Sequence, residues 1–325
     1  MTIGQSGLCL CLVACVVATG KAQSSEPSFI SFPARDVQIW LKDPSDALLP
    51  DAPTPQEVSA TSPQEAVGGS VQPVQPAALA ALDDFQISQK CAAGLLDKQT
   101  CKFQWWPALG QLSEFLVVEQ GWNISTNYWI RKVTFRGHWL QDYFKSLEGF
   151  HFGRWDDDNP WYDDYVGHPM MGAIAMDIYL QNDPRGKSIE LENSKAYWHS
   201  RLQALLWSAV YSAQWKLGPI SEASIGNTGY VTFTYKNALS NGTGSVGLVV
   251  TPAAGWIWSM GEDVLDQQLI SRLERKSQNP VYLFMIEFIN PCRGFSNLLR
   301  YKAPWYRDTR PVRARWRSVR HDENH

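Results

Sequence analysis

Apolar residues recur every three or four positions along most of the chain after residue 82, which is the spacing of one face of an α-helix. Several of these stretches are bounded by residues that begin or end helices, such as Ser194 before one stretch and Gly218-Pro219 after it. One alternating run, residues 230–235, instead predicts a short strand. The pattern predicts a mainly α fold, an irregular bundle of about six to seven helices with at most one short strand pair. The predicted helices span residues 109–120, 137–147, 169–180, 194–217, 252–276 and, as the last helix, 280–289.

A proline-rich stretch precedes the helical part of the chain. Residues 23–82 are rich in proline, alanine, glutamine and serine. Because proline donates no backbone hydrogen bond and fixes φ, such a stretch does not build a regular core. We therefore expect a disordered linker between a signal peptide at 1–22 and a helical domain at 83–299, with a tail at 300–325.

The predicted signal peptide rests on an apolar run at residues 7–18. This run is shorter than the roughly 20 residues that a transmembrane helix needs, and small residues follow it, as in a secretory signal. Two alternatives remain open: cleavage near Ala22, or a lipoprotein-type signal, Leu12-Val13-Ala14-Cys15, with Cys15 as the lipidated residue. Either alternative predicts export to the bacterial envelope, into the periplasm or to the surface of the outer membrane.

The composition has one unusual feature, which is its 15 tryptophans. Tryptophan combines an apolar ring with one N–H donor, so this number suits a large aromatic core, a membrane surface or a sugar-stacking site. The net charge of −3 gives no general reason to expect a nucleic acid as the partner. No predicted helix is long and apolar enough to span a bilayer; residues 204–213 and 246–260 come nearest.

The C-terminal tail is basic. Between Arg300 and Arg320 it carries eight lysine or arginine residues, and the whole tail holds only three acidic ones. Arginine interleaved with tryptophan and tyrosine suits an anionic membrane surface. The alternative is a solvated tail without a partner.

Three cysteines lie beyond the predicted signal. Cys91 and Cys101 are close in sequence and are the candidates for a disulfide in an oxidising compartment, which leaves Cys292 unpaired. Since no two cysteines have the CxxC spacing, a cysteine zinc site is not expected.

Charged and polar residues are densest between Trp155 and Gly172. Five aspartates crowd this segment together with histidine and asparagine. Carboxylates at this density repel one another unless a cation, an arginine or water compensates them. The segment is therefore either an exposed acidic loop or a site for a cation or polar ligand. It lacks the glycine and the terminal glutamate of a calcium-binding EF-hand loop, so no metal site is assigned and the cofactor stays unknown. The aspartates are Asp156, Asp157, Asp158, Asp163 and Asp164, and the neighbouring residues are His151, Asn159 and His168.

His168 stands directly before Pro169, and a residue in that place is disfavoured in the helical region. Proline suits the first turn of a helix. This predicts an extended approach at 165–167, then His168 near an N-cap, then a helix. The positive end of that helix would favour a neutral imidazole, which is able to act as a base or a metal ligand. The alternative is a structural cap that bonds a buried backbone group.

Two further segments supply candidate polar groups. Glu222 follows a helix end, with Ser221 and Asn227 beside it. Glu262 follows an apolar run, where a carboxylate has a raised pKa or needs a partner such as Arg201 or Arg185. The candidate catalytic residues are His168, Asp164, Glu222 and Glu262, and the candidate ligand-binding residues are Asn159, Ser221 and Asn227.

The order of several motifs resembles a group of uncharacterised bacterial exported proteins. These share an N-P … Y-x-x-H-P-x-x-G core within a domain of unknown function. The motifs here are N-P-W-Y-D-D-Y-V-G-H-P-M-M-G at 159–172, Q-N-D-P-R-G at 181–186, and G-P-I-S-E-A-S-I-G-N at 218–227. The resemblance covers roughly residues 109–273, and this chain has Asp164 and Gln214 where that family more often has Asn and Glu. It implies a helical architecture and an envelope location, but no activity.

Three functions remain as hypotheses. The first is an envelope protein held at a membrane surface, without an assigned reaction. The second is a membrane-surface hydrolase or transferase that acts on a lipid or glycan, with His168 as the base and a carboxylate to orient it. The third is a ligand-binding module with a tryptophan-lined pocket.

Overall fold

A computed structural model describes residues 84–135, 138–157, 159, 161–228, 243–310 and 312. The predicted signal peptide, the linker, the strand at 230–235 and the tail beyond residue 312 lie outside the described residues. Within the described residues the fold is mainly α, as predicted, and β-type pairing is limited to an isolated bridge between Phe150 and Thr243. The helices are α1 (Asp84–Ala92), α2 (Trp105–Thr126), α3 (Tyr128–Thr134), α4 (Trp139–Glu148), α5 (His168–Asn182), α6 (Lys195–Leu217), α7 (Val246–Leu265), α8 (Pro280–Ile286) and α9 (Pro291–Leu299).

Three irregular turns extend these helices. A π-helical turn, Asp163–Gly167, leads into α5. A second π turn, Asp266–Ile270, follows α7 and continues into one more α-helical turn, Ser271–Glu274. A 3₁₀ turn, Glu287–Ile289, lies between α8 and α9.

Helix α5 is the centre of the domain, because residues on every side of it are buried. Helices α6 and α7 pack against it and against each other. Ser212, near the end of α6, donates its hydroxyl to the carbonyl of Gly247 at the start of α7 (3.0 Å). Tyr197, near the start of α6, donates to Asp263 near the end of α7 (2.9 Å). Helices α6 and α7 are therefore antiparallel neighbours along most of their length.

Helices α2 and α9 cover another side of α5. The ring of Phe115 on α2 stacks on Tyr211 of α6, with ring centres 5.4 Å apart, and also contacts Phe295 of α9. These rings form the main hydrophobic cluster together with Ile174 and Ile178 of α5. This core is aromatic, but among the described residues it buries only one tryptophan, Trp215, so it does not account for the high tryptophan count.

The helix ends follow the predicted signals at α6. The Ser194 side chain accepts a hydrogen bond from the Tyr197 amide (3.1 Å), and the helix ends at Leu217, before Gly218. The same chemistry begins α8, where the Asn279 side chain accepts the amides of Val281 and Tyr282.

Two helix predictions were wrong. Helix α7 begins at Val246 and contains Pro252 in its interior instead of beginning there. An interior proline loses one backbone hydrogen bond, yet the preceding turns bury Val246 and Val250, and this packing offsets the local cost. The segment 280–289 is also not the last helix, because Asn290-Pro291 begins α9 instead of closing the chain's helical part.

The predicted disulfide between Cys91 and Cys101 is present, and Cys292 is free and buried. Among the described helices, none has both the length and the apolar purity needed to cross a membrane.

The packed structure continues past Leu299, where the basic tail was predicted to begin. Arg307 is buried and forms ion pairs with Asp266 (2.6 Å) and Glu287 (2.9 Å). Arg310 pairs with Asp266 (2.6 Å) and with Glu274 (2.7 Å). These guanidinium groups stabilise the domain itself, so they are not free for an anionic surface. The predicted contact with an anionic membrane therefore concerns only the tail residues beyond Arg310.

Candidate functional site

A buried charged cluster forms where the start of α5 meets the end of α6. Asp157, which precedes the π turn, accepts a hydrogen bond from the ammonium of Lys216 (2.6 Å). The same ammonium donates to Glu222 in the turn that follows α6 (2.8 Å). Asp164 in the π turn and His168 at the start of α5 lie beside them, with His168 Nε2 3.7 Å from Asp164 Oδ1. We call these five residues the His168 cluster.

The π turn places two members of the cluster on the same side of the chain. The amide of His168 donates to the carbonyl of Asp163, five residues earlier. The following residue is Pro169, which has no amide hydrogen, so the wider turn loses no bond there. His168 is therefore helical and lies inside a continuous helical segment. The predicted extended approach at 165–167 and the N-cap position of His168 are wrong, because the π turn relieves the restriction that proline imposes on its neighbour.

Burial separates this cluster from solvent. Asp157, Asp164, His168 and Lys216 are all buried, and His168 is only 4% exposed. Both ring nitrogens of His168 and Oδ1 of Asp164 have no hydrogen-bond partner. One wall of the cluster is the backbone of Gly247 on α7, where a Cβ would lie 3.3 Å from His168 Nε2. Within the described residues the imidazole is therefore almost fully shielded from solvent.

The charges within the cluster shift its pKa values in opposite directions. Burial and the neighbouring carboxylate of Asp157 raise the pKa of Asp164 to about 8. Burial alone would lower the pKa of Lys216, but Glu222 and Asp157 together raise it. Burial acts to raise the pKa of Glu222, yet Lys216 and His168 lower it overall.

The pKa values of His168 and Asp163 are shifted as well. Burial lowers the pKa of His168, which favours the neutral imidazole. The sequence predicted the same neutral form from the helix dipole, whereas in the structure its main cause is burial. Burial, Glu222 and Asp157 raise the pKa of the half-buried Asp163 to about 6. The carboxylates are thus only partly compensated by Lys216.

The structure brings together three of the four candidate catalytic residues, namely Asp164, His168 and Glu222. Glu222 contacts Lys216 rather than His168, so no hydrogen-bonded pair of base and orienting carboxylate is formed. Lys216 is the residue that sequence reasoning missed. Its only signal was a lysine in the last turn of an otherwise apolar helix, directly before the Glu222 segment.

Glu262 lies elsewhere and has a structural contact. Its two carboxylate oxygens accept the amides of Cys292 and Arg293 (3.1 Å each), which are the first turn of α9. Burial raises the pKa of Glu262, as expected for a carboxylate in an apolar helix, although Arg293 opposes this. Glu262 therefore caps a helix and does not join the His168 cluster.

The candidate ligand-binding residues also have local partners. Ser221 and Ser224 exchange hydrogen bonds within one turn, from Ser221 N to Ser224 Oγ (2.9 Å) and from Ser224 N to Ser221 Oγ (3.3 Å). Asn227 has a positive φ of 51° and donates its amide to the Ala223 carbonyl (3.3 Å). The amide of Asn159 donates to Asp157 Oδ1 (3.3 Å), which ties Asn159 to the edge of the His168 cluster.

A second charged cluster lies at the other end of α7. Asp263 accepts hydrogen bonds from Arg201, the partner that the sequence suggested (2.8 Å), and from Arg293 (2.5 Å). A cleft runs beside it, lined by Asp177, Arg201 and Arg300 among other charged residues and by no tryptophan. This cleft therefore does not correspond to the predicted tryptophan-lined pocket.

The exposed faces of α6 and α7 are apolar. The exposed residues of α7 are all apolar or glycine, and those of α6 are apolar except for Lys195 and His199 at its start. Since α6 and α7 are neighbours and bury their other faces, both present apolar residues to solvent over several turns. The exposed apolar residues are Ala196, Trp198, Leu202, Leu206, Val210 and Ala213 on α6, and Val249, Ala253, Ile257, Val264 and Leu265 on α7.

Comparisons with known protein families, with curated proteins and with solved structures found no match for this chain.

Proposed function

We propose that this chain is a cell-envelope protein that binds a membrane surface through the exposed faces of α6 and α7. The observation that carries the proposal is the absence of any carboxylate among the exposed residues of these two helices. Soluble proteins rarely expose a contiguous apolar patch beyond a few hundred Å², and larger patches mark contacts with membranes or proteins.

The chemistry at the edges of this face favours lipid as its partner. Trp198, 44% exposed, lies at the start of α6, with the exposed Lys195 and His199 beside it. Tryptophan partitions to the boundary between lipid chains and headgroups, and basic groups beside it favour anionic headgroups. A helix that presents an apolar face of this kind lies in the plane of the interface and does not cross it.

Two further observations support the envelope location. The disulfide between Cys91 and Cys101 suits an oxidising compartment outside the cytoplasm. Exposed tryptophans also occur on other elements, including Trp106 at 85% and Trp161 at 69% exposure. In a protein that lies against a membrane, such rings contact lipid instead of water.

Vesicle flotation tests the proposal. We expect the full chain to float with vesicles of phosphatidylcholine and phosphatidylglycerol, and the double variant Leu206→Glu, Ile257→Glu to stay unbound. Both side chains are more than 60% exposed, so the substitutions leave the core intact. Each substitution removes an apolar side chain that would contact lipid and adds a charge that would have to leave water. We expect the partition coefficient between vesicles and water to fall by at least about tenfold.

The matched control is Val281→Glu, which replaces a similarly exposed valine (58%) on α8 and should float like the parent. Failure of the parent chain to float, or equal flotation of the double variant, would refute the proposal. Light scattering tests the alternative that this face joins two copies of the chain. In that case the parent would be a dimer and the double variant a monomer.

A further inference from the structure

We propose that Asp157, Asp164 and His168 form a binding site for a divalent transition-metal ion, with zinc as the best match. This site is separate from the lipid-binding face and does not depend on it. Each residue comes from a different local structure: the segment before the π turn, the π turn itself and the first turn of α5. A shared ion would connect the segment before the π turn to the continuous helical segment that carries Asp164 and His168.

The positions of the ligand atoms carry the proposal first. One side-chain atom of each residue lies within 4.8 Å of the other two. Zinc binds imidazole nitrogen and carboxylate oxygen at about 2.0–2.2 Å, so ligand atoms around one ion lie about 3–4 Å apart. His168 Nε2 and Asp164 Oδ1 already meet this condition at 3.7 Å. Side-chain shifts of about 1 Å bring in the third ligand.

The unpartnered atoms are the second and independent observation. His168 is 4% exposed and Asp164 is 5% exposed, yet both ring nitrogens of His168 and Oδ1 of Asp164 lack hydrogen-bond partners. Buried polar atoms in proteins are nearly always hydrogen-bonded, because each unsatisfied one costs about 1–3 kcal/mol. A metal ion bound to both Nε2 and Oδ1 satisfies two of these three atoms.

The net charge of the His168 cluster also favours a bound cation. Asp157, Asp164 and Glu222 supply three carboxylates, whereas Lys216 supplies one ammonium. With all carboxylates ionised, the cluster carries two uncompensated negative charges, which a divalent ion cancels. Lys216 also contacts Glu222 at 2.8 Å, so it keeps a partner when Asp157 turns towards an ion.

The ligand set selects the kind of ion. Imidazole with two carboxylates suits zinc and the neighbouring first-row ions. Calcium takes six to eight oxygen ligands, and magnesium keeps several of its waters, so neither matches three ligands with one nitrogen in a buried site. Three protein ligands leave one of the four positions around zinc for a further ligand such as water.

Metal titration of the full, chelator-treated chain tests the site. We expect one tightly bound Zn²⁺ per chain by calorimetry and elemental analysis, and a rise in the melting temperature of the chain with added Zn²⁺. Asp164→Asn and His168→Gln should each weaken this binding at least about a hundredfold and abolish the rise. Cobalt provides a second readout, since its visible absorption spectrum reports a nitrogen and oxygen ligand set in the parent and should vanish in both variants.

Asp163→Asn is the matched control, because it changes the neighbouring carboxylate and should bind zinc like the parent. Asp164→Asn replaces a buried carboxyl with an amide of nearly the same shape and should fold without metal, so it decides the question even if His168→Gln does not fold; circular dichroism verifies this. The proposal is wrong if the parent binds no zinc, if Asp164→Asn binds as tightly as the parent, or if magnesium or calcium binds in preference. Binding that survives in Asp164→Asn would mark exposed histidines as the ligands.

Discussion

Gly172 of α5 and Gly255 of α7 lie so close together that a Cβ on Gly255 would be 2.8 Å from the Cα of Gly172. A Cβ on Gly172 would be 1.8 Å from the carbonyl oxygen of Thr251. These contacts are with backbone atoms, which cannot turn aside as a long side chain does. The two glycines therefore set the distance between the central helix and α7.

Gly172→Ala should destabilise the domain strongly, because α5 and α7 have to move apart to admit one methyl group. We expect a loss of at least about 3 kcal/mol in the free energy of unfolding, measured by urea denaturation. Gly110→Ala and Gly121→Ala are the controls, since both lie in α2 with nothing within 4 Å of the added Cβ. They should stabilise the chain by up to about 1 kcal/mol, because alanine favours helix. Equal effects at all three positions would contradict this account of the contact.

Local sequence signals predicted the helices that end in strong boundary residues. Ser194 and Gly218 fixed α6 almost to the residue, because capping acts through the nearest amides and carbonyls. The same local rules failed at three prolines, and at Asn290-Pro291 a helix begins where the helical part was expected to end. Pro252 lies inside α7, and His168 before Pro169 is helical, since packing and a π turn outweigh the local preference at these places.

The candidate site was predicted in part for a related reason. Asp164, His168 and the acidic segment around them are close in sequence, so their proximity was visible without the structure. The pairing of Lys216 with Asp157 joins residues 59 positions apart. It depends on α6 running antiparallel to α5, and no local pattern encodes that arrangement. Glu262 was misassigned for the same reason, because its partners on α9 are about 30 positions away.

Glu262→Ala should destabilise the start of α9. The substitution leaves the amides of Cys292 and Arg293 in a buried place without an acceptor, which costs about 2–4 kcal/mol in the free energy of unfolding. Glu262→Gln should cost less, because its carbonyl still accepts one amide. Asn279→Ala, which removes the exposed cap of α8, provides the comparison at about 1 kcal/mol. If Glu262→Ala unfolds at the same urea concentration as the parent, its carboxylate does not cap α9.

Arg307→Ala should also destabilise the chain, although Arg307 lies beyond α9, the last helix of the described residues. Its side chain is 2% exposed, and its guanidinium bonds Asp266 (2.6 Å) and both oxygens of Glu287 (2.9 and 3.1 Å). Removal leaves the buried carboxylate of Glu287 without a cation, whereas Asp266 keeps Arg310, and the loss costs about 3–5 kcal/mol. Arg275→Ala removes an exposed arginine and should change the stability by less than about 0.5 kcal/mol. If Arg307 belonged to a solvated tail, Arg307→Ala and Arg275→Ala would change the free energy of unfolding by the same small amount.

Asp177 on α5 should make the stability of the domain depend on pH. It is 5% exposed, and burial raises its pKa to about 7, although Arg293 opposes the shift. An aspartate in the unfolded chain has a pKa of about 3.9, so the folded state holds this proton more tightly. The free energy of unfolding therefore falls as the pH rises from about 4 to about 7, and this contribution is constant above that.

Asp177→Asn removes this dependence, because an amide does not ionise. We expect the variant to be more stable than the parent by on the order of 3 kcal/mol at pH 8, with the gain largely lost at pH 4. Urea denaturation at the two pH values measures this difference. The control is Glu192→Gln, which replaces an exposed carboxylate. Its free energy of unfolding should differ little from that of the parent at either pH. A gain for Asp177→Asn that is the same at both pH values would show that shape and hydrogen bonding, rather than ionisation of the buried carboxyl, govern this position.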